Sequence, residues 1–452
     1  MNKIYFLTFK VQALEKNSKW SKYKNVQVTC WVKAFSAISA FRECVYYFKD
    51  EKWKVTSLEE NIVRVSREMF LGRDIGLEQF DKAEKHGFSI FYIGVDESLT
   101  QPQFVKFESD ESLDIAKLLK NKHSMDRHKF CLHPMAGDEC DEKIINAHSI
   151  QNSQSLTSIA KNGHVYQLSH KYIHQTKTYL DYQKVGTSKA SVFKGFCKKH
   201  DNEIFEDIDN AKLKPTEKQV FLYAYRSICR EIYQKYKVIH SLKENIPLVT
   251  GEHKQDLIWN LLGNQKGYEE LIKIKKNYDE TFLNQTFEKD ILYIIFYSKK
   301  PMNIAFSSLI YPDFDFQKGF LQDLSDFEND KDLITYFSAP IDEGWGYVFA
   351  WHIKNNSTCE PFIISLGKIV HSGGSIEHTL FQYLLLNSEN HALSPNWWES
   401  LEQDKQSQII YAINHKLDLM SGKTSSQHND DIPNVSGWAF IELMTNIQWF
   451  KE

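Results

Sequence analysis

Cys131-Leu-His133-Pro-Met-Ala-Gly-Asp-Glu-Cys140 and Gly195-Phe-Cys197-Lys-Lys-His200-Asp201-Asn202 are the two stretches whose reading decides how the middle of this chain folds. Two cysteines stand in the first stretch. A cysteine and a histidine separated by two residues stand in the second. Thiolate sulfur and imidazole nitrogen are ligands that zinc prefers, and a structural site takes four of them in a tetrahedron. Cys131, Cys140, Cys197 and His200 make such a Cys3His set. The Cys197–His200 interval has the usual ligand spacing, and the Cys131–Cys140 interval is wider than usual. His133 is a substitute for one of the cysteines. Two remote ligand pairs gripping one ion would tie off a long loop, so that metal-binding free energy becomes folding free energy. With all four positions filled by protein, the expected role of Zn²⁺ is structural.

Between the two pairs lies Ile144-Ile-Asn-Ala147-His148-Ser-Ile-Gln151. A histidine that ends a strand inside such a frame can activate water for attack on a phosphodiester, because its near-neutral pKa suits a general base. The other reading is a structural histidine hydrogen-bonded to the fold.

The order Cys…Cys…Ala-His…Cys-x2-His-Asp-Asn resembles the HNH type of treble-clef zinc domain. That resemblance implies a ββα-metal nuclease core set between zinc knuckles. It makes His148 the general base, and Asp201 or Asn202 a ligand for a catalytic Mg²⁺ or Mn²⁺. It matches Asn162, in Asn162-Gly163-His164, to the asparagine that orients the base, although Asn-Gly also reads simply as a turn. The chain departs from the pattern at Ala147, where such domains carry an Asp or His ligand, and in the long span from His148 to Cys197. Ala147-His-Ser-Ile-Gln, Asn162-Gly-His-Val-Tyr, Gly195-Phe-Cys-Lys-Lys-His-Asp, Tyr223-Ala-Tyr-Arg-Ser-Ile-Cys-Arg-Glu, Tyr311-Pro-Asp-Phe-Asp-Phe and Ser394-Pro-Asn-Trp-Trp-Glu-Ser-Leu also resemble an uncharacterised bacterial protein family. The implied function is a nuclease acting on nucleic acid, by analogy in bacterial anti-phage defence and beside another protein subunit of a defence system. The alternative is a non-catalytic recognition or assembly subunit with a degenerate nuclease-like core.

The rest of the 452-residue chain reads as scaffold. A net charge of −4 gives no global attraction to nucleic acid or anionic membranes, so any such surface is local. No apolar run approaches the roughly 20 residues of a membrane-spanning helix. Seven scattered cysteines argue against a disulfide framework and for a reducing cytoplasm. The fold class expected is α+β and multidomain. An N-terminal small α/β domain spans 1–105, a zinc-binding HNH-like domain 125–208, a helical region 209–288 and a C-terminal α/β domain 289–452.

In the first of these, Ile4–Val11, Val26–Val32, Trp53–Ser57, Ile62–Val65 and Phe88–Ile93 read as strands, with helices over Phe35–Phe48 and Leu77–Lys85. No glycine-rich phosphate loop follows any of these strands, which excludes a dinucleotide fold. Residues 96–128 read as a connecting segment with a helix at 115–120. Phe221, Tyr225, Ile228, Ile232 and Tyr236 form one apolar stripe of a helix that begins near Pro215. Arg226, Arg230, Lys235 and Lys237 on that helix read as a solvated face, and Cys229 as buried. A second helical region runs from about 256 to 287. Ile291–Tyr297 and Ile304–Tyr311 read as buried strands, followed by strands at Leu333–Ser338 and Gly346–Ile353 with a Pro340–Gly344 turn between them. Helices are expected at 377–387 and 402–419, and a helix start at Ser394-Pro395. Residues 421–433 read as a loop, and Gly437–Phe450 as a docked terminal helix. His371-Ser-Gly-Gly-Ser375 lacks a nucleophile elbow, which argues against a serine hydrolase. Asp313 and Asp315 read as a turn rather than a metal site.

Overall fold

The computed structural model describes residues 3–14, 23–59, 62–70, 74–96, 129–137, 140, 143–174, 177–248, 251–324, 326, 329–414 and 432–448. The expected connecting segment at 96–128 and most of the loop at 421–433 lie outside them. The described residues form two compact units, with mixed helices and antiparallel sheets. The first unit is built from residues 3–96 and a short segment around Asp326. The second holds residues 129–322 and 330–448.

The first unit is a five-stranded sheet. Strands β1 (Lys3–Ala13), β2 (Tyr23–Ala34), β3 (Trp53–Leu58) and β5 (Phe88–Asp96) are ordered β3-β1-β2-β5, and β4 (Val63–Val65) also pairs with β1. Alternation places Tyr5, Leu7, Phe9 and Val11 of β1 with Val26, Val28, Cys30 and Val32 of β2 in one core. Helix α1 (Ala37–Asp50) closes that core with Ala40, Cys44 and Phe48. Its start is fixed by Ser36, whose hydroxyl accepts from the Ser39 amide while Ser39 caps the Ser36 amide in return. Helix α2 (Asp74–His86) packs Phe80 and Ala83 against Ile4, Trp31 and Phe70 on the other face.

The second unit is organised by one eight-stranded antiparallel sheet. It comprises β7 (His164–His174), β8 (Lys177–Gly186), β10 (Ile291–Ser298), β11 (Ile304–Ile310), β12 (Ile334–Ile341), β13 (Gly344–His352), β14 (His391–Leu393) and β15 (Phe440–Thr445). Their order is β15-β10-β13-β12-β11-β14-β7-β8. The central strands β12 and β13 are buried along their whole length because both faces are covered. Trp345, Tyr347, Phe349 and Trp351 of β13 point into one core, and Val348 and Ala350 into the other. Each fully buried side chain of this size contributes about 1.5–3 kcal/mol. Helices α6 (Asn356–His371), α7 (Ile376–Asn387), α8 (Pro395–Ser400) and α9 (Gln403–Asn414) supply buried residues to the first core. Helices α4 (Glu217–Asn245) and α5 (Gly251–Asn284) supply the second. Helix α3 (Lys198–Asp209) and the residues flanking its start share that second core. Leu132, Ala147, Phe193, Phe196, Ile204 and Phe205 join Phe221, Tyr225 and Ile228 of α4 there.

Three expectations are corrected. The described part of the expected terminal helix, 437–448, does not form one. Phe440–Thr445 is an edge strand paired antiparallel with β10, and Ile441 and Leu443 are exposed on it. Its apolar residues satisfied helical and strand spacing alike, and pairing with β10 decided between them. Pro340 does not open a turn but lies inside β12. The chain reverses at Asp342, whose φ is +45°. The face of α4 that carries Arg226 is not solvated, since Arg226 is 2% exposed. The residues between His148 and Cys197 add a whole hairpin, β7–β8, to the large sheet.

Candidate metal centre

The second cysteine-histidine pair is set by the start of α3. Cys197 is its N-cap residue, with extended backbone, and His200 lies in its first turn, so both side chains project from one helix end. The first pair is brought up by a short ribbon. Leu132 N donates to Gly195 O at 2.8 Å, Ile145 N to Phe196 O at 3.1 Å and Lys198 N to Lys143 O at 3.0 Å. Gly195 is required by this approach, because a Cβ there would fall 2.7 Å from the Phe193 ring and 3.2 Å from Leu132. Cys140 closes a tight turn, donating its amide to Gly137 O while the Gly137 amide points at Cys140 Sγ from 3.5 Å.

The result is one cluster. The ligand atoms of Cys131, Cys140, Cys197 and His200 all lie within 4.8 Å of one another. His200 Nδ1 is 3.4, 3.6 and 3.3 Å from the sulfurs of Cys131, Cys140 and Cys197. Three thiols and an imidazole nitrogen at such separations are a donor set that can hold a metal ion such as zinc. Burial pushes the Cys131 thiol up to about 12, against the lowering pull of the Cys197 and His133 amides. A cation at the centre is what would offset that cost, since the thiolate is the ligand form. His133 is not in the set. Its ring stacks on His200 at 3.8 Å between centroids, and its Nδ1 accepts from the Met135 amide at 3.0 Å. Burial, and then the neighbouring His200, bring its pKa down to about 4.

His148 ends β6 (Ala147–His148), which pairs antiparallel with β9 (Val192–Phe193). Its Nε2 lies 3.1 Å from the Thr187 carbonyl. A carbonyl only accepts, so Nε2 carries the proton and the neutral ring keeps Nδ1 as an acceptor. Burial lowers the His148 pKa, and the positive charge of Arg226 adds to this. Asp201 sits on the inner face of α3, 7% exposed, with a buried Oδ1 that has no hydrogen-bond partner. Its burial raises its pKa to about 6, opposed by Arg226. Asn202 is exposed on the same helix.

Asn162 goes elsewhere. It occupies an exposed two-residue turn with Gly163, at φ +52° and +72°, that opens β7. Lys161 and His164 exchange backbone hydrogen bonds across it, and the Asn162 carbonyl lies 2.7 Å from His164 Nδ1. Among the described residues it makes no hydrogen bond to His148. The turn signal in Asn-Gly is the reading that this geometry matches.

Residues that the sequence did not mark as functional surround His148 and Asp201. Arg226 crosses from α4, donates from Nη2 to Asp209 Oδ1 at 2.6 Å and lays its guanidinium 3.9 Å over the Phe205 ring. Gln151 donates to the carbonyls of Ile208 and Ala211 and accepts from Tyr223 OH. Nothing local in the sequence distinguishes Arg226 from the other cations of its helix. Only the packing of α3 on α4 does.

No protein-family model, no curated protein and no solved structure matches the chain. No helix among the described residues is long and apolar enough to cross a membrane.

Proposed function

We propose that Cys131, Cys140, Cys197 and His200 hold a structural Zn²⁺, and that the surrounding residues form an HNH-like, treble-clef domain whose His148 is the general base of phosphodiester hydrolysis in nucleic acid. One observation carries this reading. His148 stands at the end of β6, paired with β9, with Nε2 tied to Thr187 O and with Arg226 and Asp209 as its charged neighbours. A neutral imidazole held in one tautomer by a bond at Nε2 keeps Nδ1 as the acceptor that a base uses to take a proton from water. Zinc would fix the two ligand pairs, and with them the ribbon that carries His148.

A second, hard cation fits less well. Mg²⁺ asks for oxygen ligands in a near-ideal octahedron with several waters. Asp201 offers a carboxylate, but it is buried, and Arg226 already supplies positive charge beside it. Ala147 offers no ligand at all. These features favour a second reading, in which the core is a non-catalytic recognition or assembly module clasped by zinc. Plasmid DNA and RNA are incubated with Mg²⁺ or Mn²⁺ and either wild type or His148→Ala, each with its metal content measured. Cleavage by wild type and its loss in a variant that keeps its metal supports the first reading. Equal degradation by both proteins, or by neither, removes it.

A further inference from the structure

A cavity of about 410 Å³ opens in the second unit between α4, α5, β11 and the turn after α7. It uses none of the residues of the metal cluster. Its walls are polar. Arg230 and Lys235 of α4 bring positive charge, and Glu231 and Glu389 bring negative charge. Among the described residues, Val238 and Leu309 are its only apolar side chains, and no aromatic ring lines it.

Arg230 is the group that the fold leaves under-used. Its side chain is 16% exposed, its Nε is shut off from solvent without an acceptor, and Nη1 reaches Glu231 Oε2 only at 3.5 Å. A guanidinium presents five donors in a planar fork, which matches the paired oxygens of a phosphate or carboxylate. Leaving the buried Nε donor unmet is costly, and an oxyanion from outside the chain would meet it. The floor is already fixed. Asn390, 1% exposed, donates to Ser149 Oγ and to the Ser307 carbonyl at 2.7 Å each and accepts from Ser191 Oγ at 2.8 Å. Ser227 and Ser307 share a hydrogen bond of 2.7 Å. On the opposite wall, Asn264 donates its amide to the Asn260 carbonyl and side chain, which leaves its Oδ1 to accept.

We propose that this cavity binds a small metabolite that joins one phosphate or carboxylate to a hydroxyl-bearing body. The oxyanion meets Arg230 and Lys235. The hydroxyls donate to Glu231, Glu389 and Asn264. The balanced charge disfavours a bare anion, and the lack of an aromatic platform among the described lining residues disfavours a nucleic-acid base. The volume is that of an ordinary small-ligand site.

The test is isothermal titration of the full chain with ribose 5-phosphate, gluconate, ribose and inorganic phosphate. Saturable binding of ribose 5-phosphate or gluconate is expected, about tenfold or more tighter than that of ribose or inorganic phosphate, and the better of the two acids identifies the oxyanion. Arg230→Gln weakens that binding by about tenfold or more. Lys235→Glu, a charge reversal on a half-exposed wall residue, weakens it too and keeps the test decisive if Arg230→Gln does not fold. The proposal is overturned if neither acid binds more tightly than ribose, or if Lys235→Glu leaves the affinity of the better acid unchanged.

Discussion

Cys197 Sγ and His200 Nδ1 lie 3.3 Å apart at the first turn of α3, and the thiols of Cys131 and Cys140 approach the same nitrogen from the preceding ribbon. Four such donors, two of them buried, hold together poorly without a cation among them. Purified protein is therefore expected to carry about one zinc per chain. Cys197→Ser loses it. Metal analysis checks the content, and chelation is expected to lower the melting temperature by roughly 10 °C, because metal binding is coupled to folding of this region. Full metal content in Cys197→Ser would refute the assignment.

His133 tests the boundary of that set. It was a candidate ligand by sequence, yet its Nδ1 is taken by the Met135 amide and its ring lies flat on His200. His133→Ala is expected to retain the metal and to lose about 1 kcal/mol of stability from the missing stack and hydrogen bond. Loss of zinc in this variant, measured beside Cys197→Ser, would bring His133 into the ligand set.

Arg226 is the buried charge on which the packing of α3 against α4 depends. Its pair with Asp209 is one-sided, with Arg226 2% and Asp209 31% exposed. Arg226→Ala leaves Asp201 and Asp209 without a compensating cation, and a destabilisation of about 3–5 kcal/mol is expected in denaturant melts. Asp209→Ala removes a partly solvated carboxylate but strands the buried guanidinium, so a loss of similar size is expected. The double variant should fall short of the sum of the two by about 1 kcal/mol or more, which is the coupling that a double-mutant cycle reads. Strict additivity would mean that the 2.6 Å contact carries no energy of its own.

The sequence made the scaffold legible where one physical pattern dominated. β10 and β13 could be read because they are covered on both faces and so form continuous, largely apolar runs, and α1 because Ile38, Phe41, Val45 and Phe48 recur at helical spacing. The four cluster residues were legible because thiols and imidazoles at ligand spacing have few other uses. β15 was not, because six residues of mixed exposure carry no decisive period and only the β10 edge gives them a conformation. Helix α6 was missed for a related reason, with Pro361 inside it arguing locally against a helix that tertiary burial of Phe362, Ile363 and Leu366 enforces. Arg226 and Arg230 looked like a surface stripe. Their burial arises from contacts with α3, β11 and the turn after α7, which no window along α4 contains.

His148 offers a measurement in which sign matters. Burial, then Arg226, lowers its folded-state pKa below the ordinary histidine range, while Asp209 and the Thr187 carbonyl act in the opposite direction. Well above that range both folded and unfolded chains hold the neutral ring, and it contributes nothing to pH dependence. As pH falls through about 6.5, the unfolded chain takes up the proton before the folded one does, so stability falls with it. The loss continues until the pH reaches the depressed folded value. His352 and His133 are lowered by burial in the same way, and Asp201, raised by burial to about 6, contributes with the opposite sign, so the wild-type slope contains all four groups. Stability measured between pH 7.5 and pH 5 should therefore decline in wild type and decline less in His148→Gln, with His352 left in place. Arg226→Met should raise the His148 titration, followed by the ring-proton shift in nuclear magnetic resonance, because it removes the repelling charge. An unchanged slope in His148→Gln, or a His148 titration at or above the ordinary value in wild type, would mean that this ring is open to water and not held against Thr187.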